Sequence, residues 1–188
     1  MKFKIPFLTL AFYILFLVQP AEEPIVEEST VEAEMLSGDQ SKTEEIKSLE
    51  EIYLEGGYKE VSKAVQEAED YFKKEIALPT RLPQVAFTHH FGSFDTLTKQ
   101  LEITYLNEDS GSTHYKILVT IPVPNQKFSN KGKTLSLNDG NKAIYRTREN
   151  FDAMFFEKGG FDYIFMVDKI HPGLMTKEVL VDIANSIK

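Results

Sequence analysis

The sequence predicts an α+β fold, an antiparallel meander sheet of about six to seven strands with an N-terminal helix and a C-terminal helix packed on one face. Apolar residues recur at helical spacing at both ends of the folded part. Between these ends, short runs alternate apolar and polar side chains, and turn residues separate the runs. Because no helical pattern interrupts the runs, hairpins can join neighbouring strands, and an antiparallel sheet follows.

Residues 1–21 are predicted to form a signal peptide or an N-terminal membrane anchor. Two lysines precede a 14-residue, almost wholly apolar run at 5–18, which is shorter than the roughly 18–20 residues that a spanning helix requires. Cleavage after Ala21 would place Gln19 where a small residue is expected, so the uncleaved anchor stays open as an alternative. We therefore expect an extracytoplasmic protein, secreted or tethered to the cell membrane, whose membrane contact is limited to this segment.

Residues 22–42 are predicted to be an acidic disordered linker, because seven acidic side chains and one lysine leave too little apolar surface to offset the ordering entropy. The acidity is local: residues 22–75 hold 17 acidic and 6 basic side chains, whereas residues 76–188 hold 12 and 13. Neither part has the basic surface that phosphate backbones require, so no nucleic-acid partner is expected. The sequence contains no cysteine, which excludes a disulfide framework and a thiolate metal site.

Residues 43–188 are predicted to form a single α+β domain with N-terminal helices. Helical spacing of apolar residues predicts helices over 43–55, 58–74 and 176–187. The stretch 76–83 contains two prolines, which fix φ and lack an amide proton. This stretch must therefore end the helical part that precedes it, and strands are expected beyond it.

Seven strands are predicted after the prolines, from period-two alternation and from the turn residues between the runs. The turn signal is strongest at residues 138–141, where an Asp-Gly pair favours a tight hairpin. The predicted strands cover residues 85–91, 97–106, 113–123, 133–137, 142–148, 151–157 and 161–168.

Several short motifs stand in a characteristic order along residues 58–187. They are Leu78-Pro79 and Leu82-Pro83 after a helix, Asp139-Gly140 with Ala143 and Tyr145, then Phe155, Gly160 and Tyr163, and finally Glu178-Val179-Leu180, Ile183-Ala184 and Ser186-Ile187. In this order the chain resembles domain of unknown function 4367, an exported bacterial domain found alone behind signal sequences and attached to membrane-bound regulators. Phe155 stands where a tryptophan is common in that family. The resemblance implies an extracytoplasmic, noncatalytic module and brings no catalytic residues.

The spacing of the histidines and glycines gives no reason to expect metal or nucleotide chemistry. His89 and His90 are adjacent in a predicted strand, so their side chains point to opposite faces and cannot readily bind one metal. His114 and His171 complete the set, and no HxH or HExxH spacing is present. The paired glycines are turn residues without a phosphate-loop pattern. We therefore expect no metal, no cofactor and no catalytic residue.

Lys142, Arg146 and Arg148 are the candidate ligand-binding residues. They share one face of a predicted strand and could receive an anionic ligand or an acidic peptide. The alternative is an exposed cationic strand face that discourages edge pairing. A further interpretation is intramolecular, with the acidic linker at 22–42 folded back onto the same face.

The sequence favours a noncatalytic extracytoplasmic binding or sensing module of the bacterial cell envelope, whose sheet meets an envelope protein or peptide. One alternative is a hydrolase-type enzyme, which would require His90 or His114 close to a carboxylate or a serine in a cleft. The other is a structural envelope protein without a ligand, for which we would expect a fully covered sheet and no cavity.

Overall fold

The second of two units of the chain contains every residue described below. The units comprise residues 1–44 and 45–188. The structure, a computed structural model, describes residues 47–109, 113–124, 128, 131–169 and 175–188. The predicted signal segment at 1–21 and the predicted linker at 22–42 lie outside the described residues. No helix in the described part of the chain is long and apolar enough to cross a membrane.

A seven-stranded antiparallel sheet with three helices forms the fold, which confirms the predicted α+β class. Its strand order is β1-β2-β3-β7-β6-β5-β4. The elements are α1 (Leu49–Glu55), α2 (Val61–Phe72), β1 (His89–Asp95), β2 (Gln100–Asn107), β3 (Thr113–Thr120), β4 (Lys133–Ser136), β5 (Lys142–Thr147), β6 (Phe151–Lys158), β7 (Phe161–Asp168) and α3 (Lys177–Asn185).

The sheet consists of two consecutive meanders, β1–β3 and β4–β7, which join where β3 pairs with β7. Because β7, β6 and β5 lie between β3 and β4 and every pairing is antiparallel, β3 and β4 run in the same direction. The chain between them must therefore return along the sheet before β4 starts. Phe128, within that connection, packs its ring 5.4 Å from the ring of Phe155 on β6.

Alternation along β7 defines the two faces of the sheet. Phe161, Tyr163, Phe165 and Val167 are buried, whereas the intervening residues are only half-buried. We call the face that carries Tyr163 the inner face and the face that carries Ile164 the outer face. This division of β7 into two faces was predicted from the sequence and is confirmed.

The core lies on the inner face, beneath α2 and α3. Ala64 and Ala68 of α2 are fully buried in it, and α3 contributes Leu180 and Ile183 to the same cluster. A Cβ atom on Gly92 of β1 would lie 2.7 Å from the Cβ of Ala64, so α2 approaches β1 closely because both residues are small. The N-terminal and C-terminal helices of the domain thus share one core.

The proline stretch at 76–83 connects the inner face to the end of α3. The Tyr163 hydroxyl donates a hydrogen bond of 2.8 Å to the carbonyl oxygen of Ala77. The Thr80 hydroxyl donates to the carbonyl oxygen of Ser186, and the Arg81 N–H donates to the Ser186 hydroxyl, at 3.2 and 3.1 Å. The prediction that this stretch ends the helical part is wrong, because α2 already ends at Phe72 with Lys73 as its left-handed C-cap. The hydrogen bonds of the stretch instead fasten the chain after α2 to β7 and to the end of α3.

Helix α1 lies on the outer face, opposite α2. The ring of Tyr53 stacks on that of Phe91 with centroids 4.7 Å apart, and Phe91 belongs to the outer face through its pairing with Thr104. Lys59 then exchanges two backbone hydrogen bonds of 2.8 Å with Gly92 along the edge of β1. The chain therefore passes around this edge from the outer face to the inner face, and it covers part of an otherwise unpaired strand.

Boundaries of three predicted strands are wrong. The strand predicted over 85–91 begins only at His89 and continues to Asp95, although the ring of Phe87 still packs 5.4 Å from that of Tyr105. The strand predicted over 97–106 begins at Gln100, because Asp95 accepts a hydrogen bond from the Leu97 N–H and closes a turn. The strand predicted to reach residue 123 ends at Thr120, just before two prolines that cannot donate to a ladder.

Candidate functional site

A pocket with a volume of about 580 Å³ lies where β4 begins beside β5. Five cationic side chains line it, together with a glycine, a tyrosine and a threonine. Its lining contains no acidic side chain among the described residues. We call it the cationic pocket. Its basic residues are Lys131, Lys133, Arg146, Arg148 and Lys177.

Unequal strand lengths create this pocket. β4 starts at Lys133, which pairs with Tyr145, whereas β5 continues to Thr147. The last residues of β5 therefore extend past the edge strand and leave a notch. Gly132, with φ of 145°, lies so close to β5 that a Cβ atom there would be 2.5 Å from the Tyr145 carbonyl oxygen. Only a glycine allows the chain to enter the notch at this distance.

Besides the start of β4 and the end of β5, helix α3 forms a side of the pocket, although it is distant from both strands in the sequence. The Thr176 hydroxyl accepts a hydrogen bond of 3.4 Å from the Val179 N–H and caps the helix. Lys177, the first residue of α3, therefore has a fixed backbone position beside the notch. Its ammonium group also pairs with Glu178 at 2.8 Å, and the Glu178 side chain is largely exposed.

Hydrogen bonds and an ion pair brace the wall behind the pocket. The Tyr145 hydroxyl donates to the carboxylate of Asp152 on β6. Burial, followed by this hydrogen bond, raises the pKa of Tyr145 to about 12, so its hydroxyl stays protonated at neutral pH. Lys169 lies 3.5 Å from the same carboxylate and donates to the backbone carbonyl of Arg148. The Arg148 N–H in turn donates to the Phe151 carbonyl at 2.9 Å. The backbone of Arg148 is thus held at both its N–H and its carbonyl.

A second, smaller cavity of about 200 Å³ adjoins the cationic pocket on the outer face. Arg146 and Arg148 line both cavities. The guanidinium carbon of Arg146 lies 4.4 Å from the ring centroid of Phe155, within the range of a cation–π contact. We call this cavity the apolar groove. Its remaining lining is Phe151, Ala153, Phe155, Ile164 and Met166.

A third pocket, of about 440 Å³, differs in its charge. It contains side chains of both signs, among them Asp139 and Lys158, which form an ion pair of 3.1 Å. Because the charges that line this pocket are of both signs, the pocket favours neither an anionic nor a cationic ligand. The cationic pocket therefore has the most one-sided charge of the three.

Two of the three predicted ligand-binding residues come together. Arg146 and Arg148 line the cationic pocket and the apolar groove, but Lys142 lines neither. Lys142 pairs with Ser136 at the other end of β5, about 13 Å from Arg146 by strand rise. Sequence reasoning missed Lys131, Lys133 and Lys177. The hairpin at 138–141 could have placed Lys133 opposite Tyr145, whereas no local signal brings Lys177 to the site.

The histidines are placed on both faces of the sheet. His90 stacks on Tyr105 of the inner face, and His89 stacks on Phe91 of the outer face, which confirms that the two point in opposite directions. His114 lies on the outer face, with its Nδ1 atom 3.5 Å from a carboxylate oxygen of Asp168. None of these three histidines lines any of the three pockets described above.

The described residues contain no group of three histidine or acidic side chains that could hold a metal ion. His171 lies outside the described residues, and so do Ser110 and Ser112, which follow the end of β2. The contact between His114 and Asp168 supplies the carboxylate that the hydrolase alternative requires. Among the described residues, no serine or threonine hydroxyl forms a hydrogen bond with the His114 ring.

Glu102 forms the centre of a polar cluster on the outer face. Its Oε1 atom accepts hydrogen bonds from the Tyr58 hydroxyl at 2.8 Å, the Thr104 hydroxyl at 2.9 Å and the Lys116 ammonium at 2.6 Å. Burial raises the pKa of Glu102, but the hydrogen bond and charge of Lys116, together with the hydrogen bonds from Tyr58 and Thr104, outweigh it and bring the pKa below its ordinary value. The contact with Tyr58 fastens the segment after α1 to β2, and the contact with Lys116 joins β2 to β3.

No family model, curated protein or solved structure matches this chain. The resemblance to domain of unknown function 4367 stays a prediction that depends on the order of its motifs.

Proposed function

We propose that this protein is an exported, noncatalytic binding or sensing module of the bacterial cell envelope that holds an anionic group in the cationic pocket. The observation that carries the proposal is the lining of that pocket, with five cationic side chains and no acidic one among the described residues. Arginine presents a planar fork of donors that suits carboxylate and phosphate oxygens, and lysine adds a mobile point charge.

Electrostatic repulsion within the pocket favours a bound anion. Like charges that surround a shared cavity raise its potential, and a negative ligand relieves this repulsion. Lys133 and Arg148 are exposed and form no ion pair with any described residue. Lys177 pairs with Glu178, whose side chain is 67% exposed, and ion pairs open to solvent contribute little free energy. The positive charges of Lys133 and Arg148 are therefore accessible to an anionic ligand at the mouth of the pocket.

The proposed partner is an anionic group on an envelope protein, a peptide or another envelope component. Export rests on the N-terminal segment at 1–21, and the noncatalytic role rests on the family resemblance. The alternative of a structural protein without a ligand required a sheet with no cavity, and the cationic pocket and the apolar groove argue against it.

The experiment is an NMR titration of the purified chain with inorganic phosphate and, separately, with a hexaglutamate peptide. Arg148→Ala is expected to raise the dissociation constant about three- to fivefold, the effect of losing one exposed ion pair. Lys142→Ala is the matched control, because it removes an exposed cation from the same strand outside the pocket. Equal weakening by both variants would indicate general charge attraction and would contradict the proposal, as would no weakening by either.

The hydrolase alternative has one observation in its favour, the contact between His114 and Asp168. It is tested by assaying the chain and its His114→Ala variant against chromogenic ester substrates. Hydrolysis that depends on His114 would support the enzyme and contradict a noncatalytic role.

A further inference from the structure

We infer that the anion bound in the cationic pocket carries a short apolar arm that occupies the apolar groove, so that the ligand is a small anionic amphiphile. This inference rests on the proposed function, because it assumes that the cationic pocket binds the charged end. It adds the chemical class of the ligand and a second part of the site.

The two cavities are neighbours, and two side chains form a wall common to both. Arg146 and Arg148 line both, and the guanidinium of Arg146 packs on the ring of Phe155 at 4.4 Å. A charged group held by these arginines therefore lies at the end of the groove. In this inference a short substituent on that group extends past Arg146 and Arg148 into the groove.

The groove has an apolar floor built from two adjacent cross-strand pairs. Phe155 pairs with Ile164, and Ala153 pairs with Met166. Three of these side chains are half-buried on the outer face of the sheet, which also carries the charged pair of Glu102 and Lys116. Half-exposed apolar side chains gain free energy when a ligand removes them from water. The groove therefore favours an apolar arm, as the pocket favours an anion.

A phosphate monoester with a short alkyl chain fits this pair of cavities best. Its phosphate carries about 1.5 to 2 negative charges at neutral pH, which suits a pocket lined by several cations better than the single charge of a carboxylate. The groove, at about 200 Å³, accommodates a short chain and is small for a folded partner. The occupant we assign is thus a soluble alkyl phosphate, and a peptide or a membrane is an outcome of the test.

The test compares hexyl phosphate, methyl phosphate and hexanol as ligands of the full chain, by NMR titration below the micelle concentration. Hexyl phosphate is expected to bind at least about tenfold tighter than methyl phosphate, the gain when about two methylene groups leave water. Hexanol, which lacks the anion, is expected to bind far more weakly than hexyl phosphate.

Ile164→Gln isolates the role of the groove. It is expected to abolish most of the advantage of hexyl phosphate and to leave methyl phosphate binding within about twofold of the wild type. Leu118→Gln is the matched control, because Leu118 is the half-buried cross-strand partner of Ile164 on the same face and does not line the groove. If a polar side chain on this face weakens binding only by destabilising the fold, Leu118→Gln is expected to weaken it as well.

If hexyl and methyl phosphate bind with equal affinity and both depend on Arg148, the inference is overturned and the proposed function is not. It would also be overturned if anionic vesicles bind and hexyl phosphate does not, or if a peptide of residues 22–42 competes with methyl phosphate while the alkyl chain adds no affinity. Loss of Arg148 dependence for every anion would instead be a failure of the proposed function.

Discussion

The guanidinium carbon of Arg146 lies 4.4 Å from the ring centroid of Phe155. These residues belong to neighbouring strands, β5 and β6, and Ile144 rather than Arg146 is the direct partner of Phe155. The diagonal contact holds the arginine between the cationic pocket and the apolar groove. A side chain ordered in this way loses less conformational entropy when an anion binds.

Replacing the ring of Phe155 tests this contact. Phe155→Leu keeps an apolar side chain but removes the ring face, whose attraction for an exposed cation is worth about 0.5–1 kcal/mol. We expect the dissociation constant for methyl phosphate to rise about two- to fivefold in the NMR titration. Phe155→Tyr retains the ring face and is expected to bind like the wild type. Equal affinity of the Leu and Tyr variants would show that the ring does not position Arg146.

Acid is expected to destabilise the protein through Glu102. Its folded-state pKa lies below its ordinary value, so its contribution to stability is complete above the unfolded-state pKa and is lost as the pH falls through the folded-state value. Glu102→Gln is expected to lower the free energy of unfolding at pH 7 by about 1–3 kcal/mol, because three donors lose a charged acceptor.

Urea denaturation at pH 7 and at pH 3 measures this effect. The difference between the wild type and Glu102→Gln is expected to shrink at the lower pH. Glu108→Gln is the control, since Glu108 is exposed and its carboxylate lies 3.9 Å from the Nδ1 atom of His89, beyond hydrogen-bond distance. A constant difference between wild type and Glu102→Gln across this pH range would contradict the prediction.

In contrast to Glu102, the ionised carboxylate of Asp162 is expected to lower the free energy of unfolding. It lies directly across from Glu157 in the pairing of β6 with β7, and burial, then the charge of Glu157, raises its pKa. A raised carboxyl pKa means that the folded state disfavours the ionised form, so stability falls as the pH rises through the unfolded-state and folded-state values. Asp162→Asn is expected to stabilise the protein at pH 7 by about 0.2–1 kcal/mol, and less in high salt.

A double-mutant cycle with Glu157→Gln checks the cause of this gain. If repulsion between the two carboxylates is responsible, each single substitution relieves it and the double variant gains less than the sum. Full additivity in urea denaturation would assign the effect to the burial of Asp162 alone.

Gly92→Ala is expected to destabilise the protein by about 1–3 kcal/mol, because the added Cβ would lie 2.7 Å from the Cβ of Ala64 and 3.1 Å from the Cα of Val61. Ala64→Gly removes the nearer atom at a cost of about 1 kcal/mol in helix propensity. The double variant is expected to be more stable in urea than the sum of the single effects. An additive result would show that the contact between α2 and β1 relaxes without cost.

Local patterns in the sequence were sufficient for much of the fold. The two faces of β7 follow from alternation alone, since successive side chains in a strand point to opposite sides. The hairpin between β4 and β5 follows from the Asp-Gly pair, and Gly140 has the positive φ, 85°, that such turns favour. The strand boundaries near Val85 and Leu97 were wrong because local hydrogen bonds bend the chain there, from the Val85 N–H to the Pro83 carbonyl and from the Leu97 N–H to the Asp95 carboxylate.

The sequence by itself therefore determined the class of fold, the seven strands and the face on which each side chain of β5 and β7 lies. Only the tertiary structure decided which cations meet. Arg146 and Arg148 are close in the sequence, and local periodicity could relate them. Lys177 reaches them through the packing of α3 on a sheet whose strand order joins β3 to β7. The periodicity of a strand specifies to which face of the sheet each side chain points. A pocket, in contrast, depends on which residues that are distant in the chain come together in the fold.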